Sequence, residues 1–174
     1  TVIDGIRKFS PEGELLWHYQ PPGGLMTKNP SLLGGFIYGD FMSESASGEL
    51  SSSMVSVDIA SGEQAWRKQV FSGATEGDTA YVEAYDGVVI GVYDQQFRVD
   101  RNGNVRIIAA NASDGSILWE YVSGEILWNF QATFLGDGTF LAYDVHGGVR
   151  RIRMADGSLV WRARPKDFLI NTIL

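Results

Sequence analysis

The chain alternates apolar and polar residues in short runs. Met54-Val-Ser-Val-Asp-Ile59 and Val105-Arg-Ile-Ile-Ala-Ala110 repeat with period two, and so does Ser116-Ile-Leu-Trp-Glu-Tyr-Val122. Period two places alternate side chains on opposite faces of a strand. Between them lie further strand-like runs, Thr79–Ala84 and Val88–Tyr93, and then Ile126–Leu135 and Thr139–Val145. Tyr85-Asp-Gly87 and Gly136-Asp-Gly138 separate the members of each pair and read as turns. Apolar spacing of 3.6 residues does not persist anywhere, so no helix of useful length is expected. The pattern predicts an all-β chain.

The pattern repeats. Four segments align without gaps: Phe9–Trp17, Asp58–Trp66, Asn111–Trp119 and Arg153–Trp161. Each has Gly four residues before Trp: Gly13/Trp17, Gly62/Trp66, Gly115/Trp119 and Gly157/Trp161. The tryptophans are 49, 53 and 42 residues apart. In each unit Gly supplies the positive φ of a hairpin turn, and Trp rides on the strand that follows. The expected hairpins cover about residues 5–19, 54–69, 105–122 and 149–163 of a single domain, 1–174. With two more strands between hairpins, each interval holds four strands, the unit of a β-propeller blade.

The segments Ser56–Trp66 and Ala109–Trp119 resemble the PQQ-like, or quinoprotein-type, propeller repeat, Ala-x-Asp-x-x-Thr-Gly-x-x-x-Trp. Its Asp position holds Asp58 and Asn111, and by the ungapped alignment Phe9 and Arg153. Its Thr position holds Glu12, Ser61, Asp114 and Asp156. The resemblance implies that each Trp docks between neighbouring blades. It also implies closed rings of seven or eight blades. Thr1–Tyr19 would supply the last two strands of one blade and Asp167–Leu174 the first strand of another, so about three full blades plus partial ones are expected; a closed four-bladed ring is the alternative.

Charge and composition narrow the chemistry. The net charge is −7, from 14 basic and 21 acidic side chains, which disfavours nucleic acid as a partner. There is no Cys, so disulfides, thiolate metal sites and Cys nucleophiles are excluded. No apolar run approaches the roughly 20 residues of a membrane-spanning helix. Asp100-Arg-Asn-Gly-Asn104 alternates oxygen ligands as Ca²⁺ loops do, but Val105 and Asn111 stand where an EF-hand needs Gly and Glu. It reads as a polar hairpin loop. His18 and His146 have no metal-ligand spacing. Trp128 is out of register and is expected on an inner strand. Asn111-Ala-Ser113 is a glycosylation sequon at a hairpin turn. The Ser-rich stretch Met42–Ser53 and the stretch Gln95–Asn104 read as flexible loop expansions where a partner could bind.

Quinone-dependent dehydrogenases of the resembled family use an Asp base, Ca²⁺ and often a vicinal disulfide. No residue here matches that site, so no catalytic, cofactor-binding or metal-ligating residue is assigned. The expected role is a non-catalytic scaffold or accessory subunit that contacts other protein subunits and holds no cofactor. Two alternatives stand beside it: part of a dehydrogenase using PQQ and Ca²⁺, and a ligand-sensing propeller. The resemblance favours a periplasmic, secretory or lumenal location.

Overall fold

The computed structural model describes residues 5–21, 24–26, 30–74, 82–93, 105–125, 127, 130–144 and 146–164. These residues form strands and turns only. Strands β1 (Ile6–Phe9) and β2 (Leu15–Tyr19) make a hairpin, blade 1. Blade 2 runs from β3 (Gly24–Met26) and β4 (Ser31–Leu33) through β5 (Phe36–Glu44) and β6 (Leu50–Asp58) to β7 (Gln64–Ala74). Its innermost strand is in two pieces, since β3 and β4 both pair with β5. Blade 3 comprises β8 (Glu83–Tyr85), β9 (Val88–Tyr93), β10 (Arg106–Asn111) and β11 (Ile117–Val122). Blade 4 comprises β12 (Thr133–Phe134), β13 (Thr139–Tyr143), β14 (Val149–Arg153) and β15 (Leu159–Ala163). Every pairing is antiparallel and follows chain order, so each blade is a meander.

Alternation along the strands divides the core among the joints between blades. Val55 and Val57 of β6 pack with Ile6, Ile37 and Phe41, between blades 1 and 2. Met54, on the opposite face of β6, packs with Tyr38, Tyr93, Ile108 and Ala110, between blades 2 and 3. Ile107 and Ala109 of β10 turn the other way, toward Phe140, Ala142 and Ile152 of blade 4. Burial on both faces explains why Ile107–Ala110 is apolar without interruption.

Three features depart from the sequence expectations. The Ser-rich stretch Met42–Ser53 is mostly strand. Only Ser45–Glu49 forms the turn, closed by Ser45 N–H to Glu49 C=O at 2.8 Å. Ser52 and Ser53 are buried, and Ser43 and Ser51 share a hydrogen bond of 2.9 Å across the ladder. Small hydroxyl side chains fit a half-buried pleat once they have cross-strand partners. Among the described residues of the expected run Ile126–Leu135, only Thr133–Phe134 joins a ladder, while Leu127 and Phe130 are buried outside any strand. The first Gly turn is also one residue shorter than the others. Phe9 pairs with Leu15, whereas Val57 pairs with Gln64 and Ala110 with Ile117. Ser10, rather than Phe9, therefore takes the Asp position: its Oγ accepts the Glu12 and Glu14 N–H groups, as Asp58 Oδ1 accepts those of Ala60 and Ser61.

Candidate functional site

The Gly and Trp residues of the repeat meet across each joint. The Trp17 ring lies against Gly62, Trp66 against Gly115 and Trp119 against Gly157. A Cβ at any of these three glycines would come within 2.6 Å of the ring. Each also has positive φ, from 70° to 76°. Two independent constraints thus demand Gly there. A β-bulge lies in each ladder just before the turn, between Lys8 and Phe9, Ser56 and Val57, Ala109 and Ala110, and Arg151 and Ile152. The extra residue restores the face of the strand and aims the Trp at the next blade.

One backbone position locks the joint. It lies three residues before Gly, at Ile59, Ala112 and Met154. Its N–H donates to the inner turn of its own blade: Ile59 to Gly35, Ala112 to Gly87 and Met154 to Gly138, at 2.9–3.0 Å. Its C=O accepts the indole N–H from the preceding blade. The distances are 3.3 Å for Trp17 to Ile59, 2.9 Å for Trp66 to Ala112 and 2.7 Å for Trp119 to Met154. Lys8 Nζ also donates to Ile59 C=O, at 2.8 Å, and the Tyr38 hydroxyl to Ala112 C=O, at 3.1 Å. The inner edge has its own ties. Ser31 Oγ accepts Ala84 N–H at 3.0 Å, and Glu83 Oε1 accepts Ala132 N–H at 3.1 Å. Burial raises the Glu83 carboxyl above its ordinary value, against the lowering effect of the Ala132 N–H. Tyr93, fully buried beside the Asp40 carboxylate, is held as a neutral phenol; burial is the larger cause.

A polar cluster occupies the opposite end of blade 4. Arg150 and Asp144 are fully buried and paired at 2.9 Å. Asp144 Oδ1 also accepts the His146 and Gly148 N–H groups. Gly148 has no Cβ to collide with that carboxylate. Burial alone would raise the Asp144 carboxyl. The Gly148 N–H, the Arg150 hydrogen bond, the His146 N–H and the Arg150 charge together outweigh it, and the group titrates below the usual carboxylate range. Glu125, in the connection entering blade 4, accepts from Arg162 at 3.1 Å and Arg164 at 3.0 Å. Asp144 and Arg150 sit in one hairpin while the Glu125 contacts join elements far apart in sequence, and no local motif announces the cluster.

The outer strands carry exposed apolar pairs. They are Leu15 and Leu16 in blade 1, Ile117 and Leu118 in blade 3, and Leu159 and Val160 in blade 4. Each pair occupies the same step of the repeat, at and beside the bulge. Blade 2 has Gln64 and Ala65 there. Single exposed apolar residues are ordinary, whereas these pairs recur along one rim.

His18 is exposed on β2, and His146 is exposed in the turn before β14. Asn111 caps its own turn, its Oδ1 accepting the Ser113 N–H at 2.9 Å. Trp128 lies outside the described residues, as does the whole of Gln95–Asn104, Asp100–Asn104 included. Among the described residues no group of three His, Asp or Glu side chains is placed to hold a metal ion. No helix among them is long and apolar enough to cross a membrane.

The family model described as outer membrane protein assembly factor BamB matches residues 4–168. No curated protein matches the chain. Solved structures with the same fold include BamB from Moraxella catarrhalis, at 17% identity and TM-score 0.61, over 94% of this chain and 47% of that one. A quinohemoprotein alcohol dehydrogenase from Pseudomonas putida has 17% identity and TM-score 0.58, over 87% of this chain and 30% of that one. Another from Comamonas testosteroni has 12% identity and TM-score 0.54, over 87% and 31%. The chain therefore spans less than half the length of these relatives, and its fold is a partial β-propeller of PQQ-like repeats.

Two stability measurements test the joint and the cluster. Gly13 has positive φ, but no atom within 4 Å of a notional Cβ, so Gly13→Ala costs only the backbone strain, about 1–2 kcal/mol. Gly115→Ala adds the collision with Trp66 and lowers the urea midpoint further; equal losses would refute the ring contact. Asp144→Asn leaves Arg150 buried without its counter-charge and costs about 3–5 kcal/mol at neutral pH. The wild-type contribution of Asp144 is present above the ordinary carboxylate range and is lost as pH falls through the lowered value. The cost of Asp144→Asn accordingly shrinks toward pH 2. A pH-independent cost would contradict a charged pair.

Proposed function

The chain belongs to the family of the outer membrane protein assembly factor BamB, and on that premise we propose that it is a non-catalytic propeller scaffold that holds other protein subunits of a larger assembly. The observation that carries the reading is the rim of paired apolar side chains on β2, β11 and β15. A row of desolvatable side chains on a rigid blade edge suits a protein partner, because burying them on association is favourable and needs little ordering of the scaffold. The outer strands also end each sheet, so a partner's strand can add its backbone hydrogen bonds beside the apolar contacts. The description of the family as an assembly factor supports the same reading.

The test replaces Leu16, Leu118 and Val160 together by Glu. All three are exposed, so far-UV circular dichroism is expected to stay unchanged. Affinity for the subunit that co-purifies stoichiometrically with the wild-type chain is expected to fall at least about tenfold. Unchanged affinity would remove the rim as the contact surface. Alcohol-dependent dye reduction after addition of PQQ and Ca²⁺ would replace the scaffold reading with a dehydrogenase.

A further inference from the structure

The apolar pairs of the rim share one electrostatic setting. Each follows a turn whose charged side chains are all negative. Residues 10–14 carry Glu12 and Glu14 ahead of Leu15 and Leu16. Residues 111–116 carry Asp114 ahead of Ile117 and Leu118, and residues 154–158 carry Asp156 ahead of Leu159 and Val160. In blade 2, residues 59–63 carry Glu63. No Lys, Arg or His occurs in any of these four turns. The hydroxyl and N–H groups of Ser116 and Ser158 donate to Asp114 and Asp156 and hold both carboxyls below their ordinary value. Beyond Trp119 and Trp161 the charges are matched instead, Glu120 by Arg106 and Arg162 by Glu125. Arg153, beside Asp156, donates to Ser158 Oγ at 2.7 Å. The exposure of the pairs belongs to the rim itself. Blade 3 is flanked by blades 2 and 4, yet Ile117 and Leu118 are 42% and 45% exposed, much as Leu159 and Val160 are at 45% and 41%.

We propose that the rim of blades 3 and 4 binds a cationic segment of a partner protein, whose apolar side chains cover Ile117, Leu118, Leu159 and Val160 and whose Lys or Arg side chains meet Asp114 and Asp156. This rests on the scaffold reading and names the chemistry of the partner. Charge complementarity selects the occupant. An acidic segment, a nucleic acid or an anionic lipid surface would set like charges against the turns while the apolar pairs lose their water. A segment bordered by Lys or Arg gains at both places. The two carboxylates are exposed, so each ion pair is weak on its own. The apolar area therefore carries the affinity, and the carboxylates choose the partner. Blade 2 keeps the charge at Glu63 but has Gln64 and Ala65 in place of an apolar pair, so it attracts without anchoring. Blades 3 and 4 are the neighbouring blades that offer both features side by side.

Fluorescence anisotropy with two labelled peptides tests it, one alternating Leu with Lys and its twin alternating Leu with Glu. One variant of the chain combines Leu118→Ser with Val160→Ser. The other combines Asp114→Asn with Asp156→Asn, which keeps an oxygen to cap each turn. All four side chains are exposed, so neither variant removes core. The wild-type chain is expected to bind the Lys peptide at least about tenfold more tightly than the Glu peptide, and high salt is expected to narrow the gap. The Ser variant is expected to bind the Lys peptide about tenfold more weakly. The Asn variant is expected to lose about threefold and to show a weaker salt dependence. Equal binding of the two peptides would overturn the proposal, as would an Asn variant that matches wild type. Lys-peptide binding that the Ser variant leaves intact would reduce the effect to a general attraction to an acidic chain, and would overturn it too. The co-purifying subunit separates this failure from that of the scaffold reading. If Leu16→Glu, Leu118→Glu and Val160→Glu together release that subunit while the Asn variant holds it with wild-type affinity and salt dependence, the rim contact stands and the cationic partner falls. If neither variant weakens it, both fall.

Discussion

The fold depends on how closely an indole ring can approach a backbone. At each internal joint the ring of one blade lies on the Gly turn of the next, at a distance that any Cβ would forbid. That approach lets the indole N–H reach a carbonyl three residues before the Gly. The same residue donates its N–H to the inner turn of its own blade. One peptide position thereby ties the outer hairpin to the inner hairpin, and one blade to its neighbour. A buried Trp contributes a large apolar area, and its one polar group needs a partner when buried. The turn supplies both.

Because blades touch only their neighbours, the stack is close to one-dimensional. Each joint adds its own apolar cluster and its own polar ties. Lys8 and Tyr38 reinforce the carbonyl acceptor at the first two joints, and Glu83 crosses the inner edge of the third. The Asp144–Arg150 pair also belongs to the third joint, where Arg162 and Arg164 converge on Glu125 of the entering connection. Such a stack is rigid where blades meet and chemically varied on its rim.

Much of this was legible in the sequence, because the repeat is written in residues that few positions can replace. Gly and Trp at fixed spacing mark the turn and the ring, and period-two alternation marks the strands. What escaped has a physical reason in each case. Ile59, Ala112 and Met154 act through backbone groups, so their side chains carry no signature. Ser10 substitutes for Asp as a turn cap, and the one-residue deletion beside it hid that equivalence. Ser51–Ser53 read as loop by composition, yet cross-strand pairing and burial make them strand. Asp144 and Arg150 look like two ordinary charges until the hairpin folds them together under Gly148. The rim pairs were visible as letters, but their exposure depends on the bulge.

The most direct test of the central joint is a double-mutant cycle between Trp66→Leu and Gly115→Ala, followed by urea denaturation. If the ring and the bare turn form one contact, a Cβ at position 115 collides only while the indole is present. The cost of Gly115→Ala then falls by at least about 1 kcal/mol in the Trp66→Leu background, a coupling of the size seen between touching residues. Strictly additive losses would show that the two positions act independently, and would contradict the account.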